Sequence, residues 1–167
     1  MVNTEQTDRF ARVRVTVKPA SDGQRHKKVF ICSPFTPIGE TRAEMVEDMN
    51  RNIHLAQTAC RYAAMSGFIP YAPHLYFTQF LDDGNKDERE YGQALGLSWL
   101  ATCSEMWIVG RRLSEGMKKE IQKAKKWGIP IRYFVPKRTP DERLIDAILY
   151  PDKEFHEMTF ENVKGGK

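Results

Sequence analysis

Glu105-Met106-Trp107-Ile108-Val109-Gly110 is an apolar run stopped by a glycine, and after three residues Ser114-Glu115-Gly116-Met117-Lys118-Lys119-Glu120 opens a helical pattern. A short continuous apolar run suits a parallel strand buried on both faces. Serine suits the N-cap of the helix that follows. A strand feeding a helix in this way is half of a βαβ unit. In open α/β sheets, ligands bind in the crevice at the carboxyl ends of the strands. This segment therefore puts free helix-start amides and the carboxyl of Glu120 at that crevice.

The same alternation extends in both directions. Val29-Phe30-Ile31-Cys32 is a second short apolar run, stopped by Ser33-Pro34-Phe35-Thr36-Pro37, because proline removes a donor and turns its predecessor away from helix. Met45, Met49, Asn52, Ala56, Ala59, Cys60 and Ala63 recur at helical spacing and predict a helix over 41–66, ended by Gly67. Phe68 to Ala72 predicts a strand despite Pro70, and residues 75–85 read as an irregular aromatic segment closed by Asp82-Asp83-Gly84-Asn85. A helix over 86–102, with Leu95 and Trp99 inward, the strand 105–109, a helix over 114–127 and a strand over 129–135 follow.

Two flanking pieces complete the reading. Arg12-Val13-Arg14-Val15-Thr16-Val17-Lys18 alternates strictly and predicts a half-buried edge strand. Thr139-Pro140-Asp141-Glu142 predicts a capped helix start, with Leu144, Ile145, Ile148 and Leu149 as its apolar side. The tail after Pro151 carries no clear pattern, and Gly165-Gly166-Lys167 reads as a disordered end. The expected class is α/β: a doubly wound, flavodoxin- or Rossmann-like parallel sheet of about five strands, helices on both faces and an extra N-terminal edge strand. The expected organisation is an extension over 1–28, one domain over 29–150 and a tail over 151–167.

Composition narrows the function classes. The chain has 167 residues, 41% hydrophobic and 29% charged, and a formal charge of +4, as expected of one soluble globular domain. No apolar run approaches the roughly 20 residues that cross a bilayer, so no membrane partner is expected. Cys32, Cys60 and Cys103 show no CxxC zinc pattern and read as small core residues in a reducing cytoplasm. Neither a metal nor a cofactor is expected. The modest charge permits phosphate-bearing ligands without demanding nucleic acid, and the lysines of helix 114–127 read as a solvated face.

On a helical wheel of about 100° per residue, Met117, Ile121 and Ala124 form a buried stripe and Glu120 falls about 60° from its centre. Gly116 lies one turn before Glu120 and leaves room for a ligand beside it, or else serves close packing alone. Ser114 caps the helix or helps hold an anion. Arg111 and Arg112 face a phosphate or solvent. Asn52 ties down a loop or faces a polar cavity. His74, after a strand end and a proline, is on the ligand side of the sheet, yet a lone histidine there is often structural. Asp82, Asp83 and Glu88 supply acids, or form a turn and a helix start. Tyr71, Tyr76, Phe77 and Phe80 stack on a base, or belong to the core or a subunit interface.

Taken together these pieces resemble the nucleoside 2-deoxyribosyltransferase-like superfamily, especially its small members from bacteria and phages. The matching residues are Val29 through Phe35, Asn52 with Ala56, Gly67-Phe68-Ile69-Pro70 with Pro73-His74, and Ser114 through Glu120. The resemblance implies that Glu120 attacks the sugar C1′ and displaces the base, with Asp82, Asp83 or Glu88 as the second acid. It implies ligand contacts from Ser33, Pro34, Phe35, Asn52, His74, Glu88, Gly110, Arg111, Ser114, Gly116 and Met117. It also implies a small nucleoside or nucleotide partner and a homodimer or homotetramer. The chain departs from the superfamily's pattern at Phe30, where a tyrosine is frequent, and at Ser104 and Ser114, where acids are frequent. Nucleotide binding without turnover therefore stands as the alternative.

Overall fold

Val29, Phe30, Ile31 and Cys32 are all at most 1% exposed, so the strand they form is covered on both faces. The protein's structure, a computed structural model, describes residues 25–136 and 155–158. The elements run β1 (Lys28–Cys32), α1 (Arg42–Met65), β2 (Ile69–Tyr71), α2 (Pro73–Phe77), α3 (Lys86–Leu100), β3 (Glu105–Val109), α4 (Glu115–Lys126), β4 (Ile131–Pro136) and β5 (Phe155–Met158). They form one five-stranded sheet in the order β2-β1-β3-β4-β5.

The β2, β1, β3 and β4 pairings are parallel, with Val29 opposite Glu105 and Met106 opposite Ile131. β5 runs antiparallel to β4, with Tyr133 opposite Met158. The sheet is therefore the expected doubly wound α/β type with one correction. Four strands are parallel, and the fifth is an antiparallel strand from the segment read as a patternless tail. The strand expected over 12–18, the helix expected from Thr139 and the Gly165-Gly166-Lys167 end lie outside the described residues.

Strand alternation divides the core in two. Val29, Ile31, Trp107 and Val109 point to one face and pack with Leu55, Ala59 and Ala63 of α1. Phe30, Cys32, Met106 and Ile108 point to the other, against Leu100 of α3 and Met117, Ile121 and Ala124 of α4. Helices thus cover both faces.

The stripe expected along α1 begins later than its spacing suggests. Met45 is 43% exposed, and burial starts at Asn52. The 24 residues of α1 span about 36 Å at a rise of 1.5 Å each, against about 17 Å for a five-residue strand. The first turns of α1 therefore project past the sheet. They begin at a capping box in which Thr41 and Glu44 bond each other's backbone, and the helix ends at Gly67, whose φ of 85° suits glycine. Trp99, expected inward, is 41% exposed and stacks on Tyr71 with ring centroids 4.6 Å apart.

Among the described residues β2 is an edge strand, the position at which Pro70 is tolerated. Ile69 N–H donates to the Lys27 carbonyl at 2.8 Å, so strand alternation turns the proline nitrogen to the open side. Pro73 then starts α2 at the position where its missing donor is harmless. Among the described residues no helix is long and apolar enough to cross a membrane.

Candidate functional site

The carboxyl ends of β1, β2 and β3 open into one cavity of about 500 Å³, within the range of small-molecule sites. Each strand delivers a different wall. β1 runs out at Ser33 and Phe35, β2 leads through Pro73 into His74 and Phe77, and β3 leads to Arg112 and the start of α4. Gly92 of α3 and Leu81 close the far side.

Glu120 lines this cavity although most of its surface is covered. Removal from water pushes its carboxyl up to about 7, against a smaller opposing effect of the Cys32 thiol. One turn earlier, Gly116 also lines the cavity. A Cβ there would meet only Ser114 Oγ, at an ordinary 3.9 Å, so protein packing places no demand for glycine at this position. Ser114 caps α4, its Oγ accepting from Met117 N–H at 3.3 Å. The amides of Glu115 and Gly116 have no partner within the helix.

His74 completes the wall opposite. Its Nε2 lies 3.3 Å from Ser33 Oγ, and its ring lies 5.4 Å from that of Phe35. Burial depresses the imidazole to about 4, so it is neutral at pH 7 and serves as a hydrogen-bonding group rather than a cation.

The loop between β1 and α1 forms the roof. Asn52 Nδ2 donates to the Phe35 carbonyl at 3.2 Å and to Asp48 Oδ2 at 3.3 Å. Ile38 N–H donates to the same Asp48 oxygen at 2.8 Å. Arg112 donates to the Thr36 carbonyl at 3.1 Å, and Arg89 to Thr36 Oγ1 at 3.1 Å. The amide of Asn52 is thus a loop tie, the first of the two readings its position allowed.

Of the residues singled out from sequence, Ser33, Phe35, His74, Asp83 and Glu88 meet at the cavity with Ser114, Gly116, Met117 and Glu120. Pro34, Asn52, Asp82, Gly110 and Arg111 are not among its lining residues. Asp82 forms a turn, its Oδ1 accepting from Gly84 N–H at 2.8 Å. Gly110 has a φ of 111°, and a Cβ there would press on Leu55 at 3.2 Å and Pro34 at 3.4 Å; that pair shapes the chain behind the site. Asp83 lies 3.8 Å from Arg89. Glu88 accepts from Asp82 N–H at 2.8 Å and so also ties the loop before α3.

Arg112 and Phe77, for which the sequence left a ligand-facing reading open, also face the cavity, and sequence reasoning missed Arg89 and Gln93, which face it too. Arg112 adjoins the expected Arg111, and only the turn after Gly110 decides between them. The spacing of Arg89 and Gln93 puts them four apart on one helix face, which was a readable signal. Four acids (Asp83, Glu88, Glu115, Glu120) and two arginines (Arg89, Arg112) ring the space.

The chain belongs to the family described as "Domain of unknown function (DUF7768)", which matches residues 27–134. No curated protein matches it. Among solved structures it is similar to that of a 2-deoxyribosyltransferase from the psychrotolerant bacterium Bacillus psychrosaccharolyticus. The two are 17% identical over 67% of this chain and 74% of that one, with a TM-score of 0.49.

Proposed function

We propose that this protein cleaves the N-glycosidic bond of a nucleoside or nucleotide, as a hydrolase or a deoxyribosyltransferase, with Glu120 as the nucleophile. One observation carries the reading: a carboxyl held at about 7 by burial lines a ligand-sized cavity beside a helix start and a glycine that packing does not require. The motif resemblance over Ser114 through Glu120 supports the same assignment.

In the reaction, an ionised Glu120 oxygen attacks C1′ and the C1′–N bond breaks, its electrons leaving with the base. The base takes a proton from a second acid, and the sugar is left as an ester of Glu120. Water or a second base then attacks C1′, the ester bond breaks, and the carboxylate is restored. Asp83 and Glu88 both line the cavity. Either serves as the second acid in this reading: Glu88 holds the Asp82 amide and Asp83 lies 3.8 Å from Arg89. Phe35, Phe77 and His74 offer flat surfaces for the base. A cytoplasmic homodimer or homotetramer belongs to the same proposal.

Incubation with a panel of nucleosides and 5′-monophosphates, with and without an acceptor base, tests it. Free base or exchanged product is expected, and Glu120→Ala abolishes it. No product from any substrate, or equal product from Glu120→Ala, overturns the assignment. Capture of a nucleotide without turnover is the second reading, favoured by the structural engagement of Glu88. It predicts a ligand-dependent rise in melting temperature with no product.

A further inference from the structure

Two guanidinium groups from different walls of the cavity converge on one residue of its roof. Arg89, near the start of α3, donates from Nη2 to Thr36 Oγ1 at 3.1 Å. Arg112, in the loop between β3 and α4, donates from Nη2 to the Thr36 carbonyl at 3.1 Å and to Asp48 Oδ2 at 3.4 Å. Arg89, Arg112 and Thr36 all line the cavity. A guanidinium is a planar fork whose Nε and both Nη atoms all carry N–H donors, and each arginine spends only Nη2 here. Among the described residues, no group accepts a hydrogen bond from Nε or Nη1 of either one.

The acids around the cavity leave these donors open. Asp83 stops 3.8 Å from Arg89 Nη1, beyond hydrogen-bond reach. Glu88 accepts from Asp82 N–H at 2.8 Å and from Asn85 Nδ2 at 3.4 Å, and Glu115 pairs with Lys118 at 2.6 Å. Glu120, raised to about 7 by burial, carries only part of a charge at neutral pH. Two like charges drawn to one residue, each with donors unspent, are an arrangement that a multiply charged anion completes. Arginine forks suit phosphate best, because they match its oxygens with paired, charge-assisted hydrogen bonds.

We propose that Arg89 and Arg112 form a phosphate subsite in the roof of the cavity, so that the site takes a nucleoside 5′-monophosphate in preference to a free nucleoside. The substrate class rests on the reading of Glu120 as the working carboxyl; the subsite rests on the arginines alone. Binding uses Nε and Nη1, so both ties to Thr36 persist and the roof loop is held more firmly when the phosphate is in place.

Two measurements on the full chain test it. In the first, inorganic phosphate is titrated in while the arginine Nε–H resonances are followed by NMR, with Arg89→Lys and Arg112→Lys supplying the assignments. The signals of Arg89 and Arg112 are expected to shift saturably with phosphate and only weakly with acetate. Shifts that do not saturate, or that acetate reproduces, overturn the subsite. In the second, calorimetry on Glu120→Gln, which prevents turnover, compares 2′-deoxynucleosides of the common bases with their 5′-monophosphates. The monophosphates are expected to bind roughly tenfold tighter or more. Adding Arg89→Gln should remove most of that ratio, whereas adding Thr36→Val, which deletes the anchor of Arg89 but neither guanidinium, should keep it. No preference for the monophosphate, or its equal loss in both variants, means that the arginines serve the loop alone and overturns the proposal. Base released from nucleosides as fast as from monophosphates also overturns it and leaves the role of Glu120 standing. Failure of base release alone leaves both phosphate readouts intact, so the two ideas fail separately.

Discussion

Arg112 and Asp48, 64 residues apart in sequence, meet at 3.4 Å above the cavity. The same Arg112 guanidinium holds the Thr36 carbonyl, and the same Asp48 oxygen accepts from Ile38 N–H and Asn52. Two side chains thus clamp the β1–α1 loop from either side. Arg51, Arg112 and the bond from Ile38 together hold the Asp48 carboxyl below its usual range, overcoming the opposing effect of burial.

Asp48→Ala removes four hydrogen bonds at once, those from Ile38 N–H, Arg51, Asn52 and Arg112. Two of its partners, Arg51 and Arg112, are 44% and 30% exposed, so solvent screening keeps the loss to about 1–2 kcal/mol. The amide of Ile38 is expected to exchange hydrogen faster while the core strands keep their protection. Unchanged exchange at Ile38 would show that the clamp does not order the loop.

Two glycines are expected to respond in opposite ways. Gly116→Ala adds a methyl at an ordinary distance and gains up to about 1 kcal/mol of helix propensity. Its melting temperature should hold or rise, while nucleoside binding by calorimetry weakens. Gly110→Ala forces a side chain into a φ of 111° against Leu55 and Pro34. It should lose about 2 kcal/mol or more. Equal stability of the two variants would contradict this division of roles.

Glu120 and His74 impose opposing pH dependences on stability. Glu120 has its folded value raised to about 7, so between about 4.5 and 7 the folded state holds the extra proton and stability falls as pH rises. His74 has its folded value depressed to about 4, so between about 4 and 6.5 the unfolded state holds the extra proton and stability rises with pH. Each contribution has an upper bound of about 3 kcal/mol. They cancel in the wild type between about 4.5 and 6.5. Urea titrations should therefore show a rising slope in Glu120→Gln and a falling one in His74→Asn. Parallel curves for all three proteins would remove the assignment.

The pH–rate profile follows from the same carboxyl. Only the ionised form attacks C1′, so kcat/KM should climb tenfold per pH unit below about 7 and level above it. A limb whose midpoint lies near 4.5, the ordinary glutamate value, would mean that the group in control is exposed and is not Glu120.

Much of the architecture was readable because burial on both sheet faces leaves continuous apolar runs. Val29 to Cys32 and Met106 to Val109 announce themselves in this way, while Gly67 marks a helix end through a positive φ that few residues adopt and Ser114 marks a helix start through its capping side chain. β5 was not readable. Phe155-His156-Glu157-Met158 carries no long apolar run, and its pairing with β4 is a long-range event. α2 was lost because five residues are too short for a periodic pattern. Position 120 could be placed on its helix from spacing alone, but the burial that raises its carboxyl is a product of tertiary packing.

The proline in β2 bears on what happens between copies of this protein rather than within one. With its nitrogen turned outward at the middle of a three-residue edge, Pro70 removes the central donor that an incoming strand would seek. Among the described residues this rim is open, and a second chain that pairs with it finds no donor at its midpoint.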